Sequence, residues 1–156
     1  MRITYHTSID QDVIEKYKLR NTDEIQFDFL IMCYLNSPDG WSQDGYFFEP
    51  SDNGKIRIRL SSTDVINKAC GFSGKALSCA ILGGTKMYLN AERWFHGSKE
   101  SKLKLEDYRQ YMVSHEMGHI LGKEHVKCSG KGSLAPIMLQ HTIGIGECIP
   151  NTDVKG

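Results

Sequence analysis

Neither sign of charge prevails in this sequence: nineteen Lys and Arg balance nineteen Asp and Glu over 156 residues. No net field therefore draws the chain toward nucleic acid or an anionic membrane. No apolar run approaches the roughly 18 residues of a membrane-spanning helix. The opening MRITYHTSID has no apolar core of the kind a secretion leader needs, so the chain reads as soluble and without an address. Repeats, low-complexity tracts and linkers are missing as well. At 17.7 kDa there is material for one globular domain over residues 1–156 and not for two. No two cysteines stand at the two-residue spacing of a zinc knuckle, which argues against a cysteine-held metal.

What is present begins with five cysteines, an odd number. Cys70 with Cys79, and Cys128 with Cys148, each bracket a loop rich in Gly, Ser or Pro that can fold back, and both pairs are expected as disulfides. The longer loop would contribute about 3 kcal/mol through the entropy it removes from the unfolded chain. Cys33 is left over. It lies in the stripe Ile25, Phe29, Cys33 at helical spacing and reads as a buried thiol without chemistry.

The order of elements predicts an α+β fold. RITYH suggests a strand, DQDVIEKYKL is ambiguous, and NTDEIQFDFLIMCYLN predicts a helix with Asn21 as N-cap and Glu24 three residues on. DGYFFEP and KIRIRLS flank the turn signal SDNG as an extended pair, and LSCAIL with TKMYLN form another that meets at Gly83 and Gly84. AERWFHGSKESK looks irregular, with Trp94 as a core anchor. LKLEDYRQYMVSHEMGHILG predicts a helix with Glu106 and Asp107 in its first turn and Gly122 just past its end. The expected architecture is a small twisted, mostly antiparallel sheet packed on a backing helix and on this second helix, followed by a loop-rich C-terminal part.

The second helix carries HEMGHILGKEH, His115 to His125, with three of the six histidines. Residues four apart share a helix face, so His115 and His119 can offer two nitrogens to one ion. Gly122 can take the left-handed conformation that reverses the chain, which lets His125 return as a third ligand. Three neutral nitrogens leave a fourth zinc position open for water, as in a catalytic site. Zinc lowers the pKa of that water toward about 7, and Glu116, beside His115, can accept its proton as a carbonyl is attacked. At average residue usage the pattern HExxHxxGxxH arises by chance on the order of once in 10^5 chains of this length. A zinc held only for structure has no use for the glutamate.

This motif resembles that of the metzincin clan of zinc metallopeptidases, in which HExxHxxGxxH is followed by a turn bearing methionine. SLAPIMLQ places Met138 where that clan has the methionine beneath the metal. NAERWFHGS, YRQYMVSHEMGHILGKEHVKC, APIMLQHTIG and GECIPN are similar to a family of short bacterial metzincin-type proteins, often secreted, over residues 68 to 151. That resemblance also implies the disulfides Cys70–Cys79 and Cys128–Cys148. In several metzincin families a tyrosine stands two residues after the turn methionine. Here that position is Gln140, which leaves a fifth metal ligand unsupported, and the next residue, His141, is an exposed loop histidine or a substrate contact. His6 and His96 read as solvated or packed. The clan architecture implies a substrate extended along the sheet's outermost strand, placed here at Ser78 to Leu82, with a lower rim around Pro136 to Leu139.

The expectation is therefore a zinc-dependent metallopeptidase. His115, His119 and His125 bind one Zn2+ per chain, Glu116 is the general base for a zinc-bound water, and Met138 and Gly122 support the site. The partner is a peptide or protein substrate and neither nucleic acid nor membrane. The chain is expected to be a monomer, secreted or extracytoplasmic. The alternative is a noncatalytic module whose zinc-stiffened cleft binds peptide or polysaccharide chains.

Overall fold

In the computed structural model, which describes residues 1–156, the chain runs through β1 (Arg2–Ile9), α1 (Gln11–Tyr17), α2 (Asn21–Leu35), β2 (Phe47–Pro50) and β3 (Ile56–Ser61). It continues through α3 (Thr63–Cys70), β4 (Cys79–Ala80), β5 (Lys86–Asn90), α4 (Ala91–His96) and α5 (Leu105–Ile120). The fold is α+β, with one sheet in the order β2-β1-β3-β5-β4. Only the β4–β5 pair is antiparallel. The sheet is thus mixed and mostly parallel, which corrects the mostly antiparallel sheet expected from the turns.

The correction comes from SDNG. β2 lies beside the first half of β1, pairing Arg2 with Phe47 and Tyr5 with Pro50. β3 begins again at Tyr5 on the other side of β1, pairing it with Ile56. The segment between them does not reverse the chain but steps it across β1. Ser51 N–H reaches the Tyr5 carbonyl at 2.8 Å, and Lys55 N–H reaches Thr4 Oγ1 at 3.0 Å. A Cβ on Gly54 would overlap the Tyr5 backbone, so the crossing needs glycine. On the outer side of β2, the Asn36 carboxamide donates to Phe48 O and accepts from Phe48 N–H, both at 2.9 Å, as a neighbouring strand would.

Helix α2 begins one residue earlier than predicted: Arg20 is the N-cap, and its N–H reaches Asp23 Oδ2 at 2.8 Å. It buries Phe27, Ile31 and Leu35 and leaves Ile25 67% and Phe29 57% exposed. The expected stripe Ile25, Phe29, Cys33 faces outward, and Cys33 is an exposed thiol, not a buried one. The helix carries two apolar stripes of equal period, and the sheet takes the one whose Phe27 meets Trp94 edge-on at 5.0 Å. Trp94 is buried in the main core, as expected. The segment read as irregular opens as α4 because the Asn90 side chain accepts from Arg93 N–H at 3.1 Å. The ambiguous DQDVIEKYKL contains α1.

Both expected disulfides form. Cys70–Cys79 ties the end of α3 to β4, and Cys128–Cys148 closes the C-terminal tail. The tail is further held by reciprocal bonds between the Ser133–Ala135 and Ile149 backbones at 2.8 Å. No helix is long and apolar enough to cross a membrane.

Candidate metal centre

Along α5 the residues Tyr108, Tyr111, Met112, His115, Glu116 and His119 recur at helical spacing and line one side of a cavity of about 540 Å³. The helix ends at Ile120, and Gly122 takes φ +91° with its N–H on His119 O at 2.9 Å. That reversal brings His125 back. One ring nitrogen from each of His115, His119 and His125 lies within 4.8 Å of the others.

Two of the rings are held from behind. His115 Nδ1–H donates to Ile137 O at 2.7 Å and His119 Nδ1–H to Lys123 O at 2.8 Å, which leaves each Nε2 lone pair for an ion. His119 Nε2 and His125 Nε2 stand 3.1 Å apart. Burial lowers the His115 pKa to about 3, and burial followed by the proximity of His119 lowers that of His125. Neutral imidazoles this close, with lone pairs converging, fit a shared cation. The three can hold a metal ion.

Glu116 is buried, and its Oε1 has no hydrogen-bond partner. Burial alone raises its carboxyl to about 8. Met138 lies against α5, and a Cβ on Gly118 would overlap its sulfur while sitting 3.1 Å from Trp41 Cζ2. Glycine in mid-helix thus opens the seat for this methionine. Trp41 donates its Nε1–H to Ser114 O at 2.7 Å on the same side. Met138 O accepts from Val126 N–H at 3.1 Å, next to His125.

Residues 3–152 match the family described as "Protein of unknown function (DUF3152)". The chain belongs to this family. No curated protein matches it. Among solved structures, "Structure of myroilysin" aligns at 18% identity and TM-score 0.45 over 80% of this chain and 49% of the other. "Crystal structure of myroilysin" aligns at 19% identity and TM-score 0.45 over 86% and 48%. The chain spans about half the length of the structures it matches.

In this DUF3152 protein the strand placed at the rim, Ser78 to Leu82, contains β4 at the sheet's outer edge, and Ser78, Ala80 and Leu82 line the cavity. Gly83 N–H reaches His119 O at 2.8 Å and ties this hairpin to the end of α5. His141 is neither an exposed histidine nor a lining residue. It is buried and stacked on Tyr111 with ring centroids 4.1 Å apart and planes 15° apart, while Gln140 and Thr142 on either side line the cavity. His96 is exposed and His6 half-buried, away from the site. Sequence reasoning missed Tyr108, Tyr111 and Met112, which their spacing of seven, four and three residues before His115 would have placed on its face. Trp41 carried no local signal.

Proposed function

We propose that this DUF3152 protein is a zinc-dependent peptidase. The observation that carries the reading is Glu116, a buried carboxylate with a free oxygen beside three converging imidazoles. A closed structural site would leave such a group unpaired at a cost of about 1–3 kcal/mol, and more when charged. His115, His119 and His125 would hold one Zn2+ per chain. Bound zinc supplies Lewis-acid polarisation of a carbonyl and lowers the pKa of water toward about 7. Glu116 takes the proton from the attacking water and passes it to the leaving amine. The outer side of β4 has no neighbouring strand and aligns an extended peptide by its backbone groups. Tyr108, Tyr111 and Met112 form an apolar wall for one side chain beside the bond that breaks. The partner is thus a peptide or protein, acted on by a monomer, and two disulfides favour an oxidising, extracytoplasmic setting.

The test is a peptide-library digest of zinc-loaded protein, with and without chelator, followed by Glu116→Gln on the best substrate. Glutamine keeps the shape and removes no ligand, so zinc content stays at one per chain while turnover falls by about 10^2 to 10^4. If no bond is cut, or if Glu116→Gln cuts as fast as the parent, the peptidase reading fails and a zinc-stiffened binding cleft takes its place.

A further inference from the structure

The peptide segment Pro136–Leu139 carries much of the metal centre and yet belongs to no helix or strand. Ile137 O orients His115, Met138 O holds the backbone next to His125, and the Met138 side chain seats against Gly118. We infer that His141 is a positioning residue for the metal centre, its Nε2–H holding Pro136 O so that this segment keeps His115 and His125 in register. The inference rests on the three histidines binding a metal and is independent of peptide cleavage.

His141 Nε2 lies 2.7 Å from Pro136 O, the carbonyl immediately before the one that His115 uses. Its backbone N–H reaches Tyr111 Oη at 3.0 Å, and Tyr111 Oη–H donates to Leu139 O at 3.2 Å. Tyr111 stands one turn before His115 on α5, so the imidazole joins the segment to the ligand helix through both its ring and its backbone. His141 Nδ1 is buried without any partner. An unsatisfied buried acceptor costs about 1–3 kcal/mol. Phenylalanine would stack on Tyr111 as well without that cost, and the Nε2–H donor is what the histidine adds. Burial lowers the pKa of the ring, and a proton on the nitrogen that faces Pro136 O makes it the donor of that bond.

The experiment measures zinc affinity by chelator competition and the visible spectrum of the cobalt-substituted protein, which reports ligand geometry. His141→Phe retains the stack and deletes the donor; it should weaken zinc binding by about 10- to 100-fold, the scale for groups behind a metal ligand, and shift the cobalt bands. His141→Gln, whose amide reaches the position of Nε2, should restore most of the affinity and the parent spectrum. His141→Asn, whose amide reaches only the position of Nδ1, should not. Parent-like affinity and spectrum in His141→Phe, equal losses in Phe and Gln, or rescue by Asn as good as by Gln would each overturn the inference. Should His141→Phe fail to fold, the Gln and Asn pair decides alone. A parent protein that takes up no zinc overturns the metal centre and this inference together, whereas a parent that binds zinc but cuts no peptide overturns only the peptidase reading.

Discussion

Helices α2 and α5 have nearly the same length, 15 and 16 residues, and opposite fates. α2 is the richer in large apolar residues, yet it leaves Ile25 and Phe29 in solvent. α5 buries every residue from Gln110 to Gly118, among them Gln110, Ser114, His115 and Glu116. The difference lies in what covers each helix. α2 has the core on one side only, whereas α5 also has the C-terminal tail against it through Ile137, Met138, Leu139 and Thr142. Polar groups on a doubly covered helix need partners. Gln110 bonds Tyr34 O at 3.1 Å and Ser114 Oγ at 3.0 Å, and Ser114 O takes the Trp41 indole N–H. Glu116 Oε1 alone on α5 has none, and it is the group beside the histidines.

The contrast is broken most directly by truncating one residue on each face of α2. Ile31→Ala, fully buried, should cost about 2–5 kcal/mol in urea unfolding. Ile25→Ala should change stability by no more than about 0.5 kcal/mol, and equal costs would mean that the outer face is covered after all. On α5, Gly118→Ala forces Met138 off its seat and should cost about 1–3 kcal/mol, with weaker zinc retention in a chelator competition. Destabilisation without any loss of zinc would separate the methionine from the metal.

A smaller effect sharpens the same contrast through pH. Burial pushes the phenols of Tyr108 on α5 and Tyr5 on β1 up to about 12, against about 10 in an unfolded chain. The unfolded chain gives up these protons first, so their contribution is intact below about pH 10 and drains away as pH climbs through about 12. Phenolate absorbance should rise for these two only at the alkaline end of a titration, and Tyr108→Phe should flatten part of the stability loss there. The smallest effect is expected at Cys33. The native protein should accept one equivalent of a thiol reagent with no change in melting temperature, and a protected thiol would contradict the exposed face of α2.

The three histidines that can hold a metal ion were legible because their geometry is local. Two histidines one turn apart and a glycine that reverses the chain need nothing from the rest of the fold. The edge strand was legible for a similar reason, since Gly83 and Gly84 mark a tight return. Strand direction was not, because SDNG signals a change of course and says nothing of β1 lying between the two strands it joins. The two stripes of α2 have the same period, and only the distant core, Trp94 within it, chooses between them. His141 looked exposed because its partners, Tyr111 and Pro136, meet it only after the tail has closed over α5.

The Asn36 carboxamide, set against Phe48 like a borrowed peptide group, also closes one rim of the sheet. A sheet rim with free backbone groups is a template for stacking, and proteins that crowd together stick first at such rims. Here the β2 rim is capped where Phe48 would reach out, and the short β4 rim is the one left vacant. A strand that added to the sheet would therefore meet free backbone groups at β4, on the lip of the histidine cleft, and a capped rim at β2.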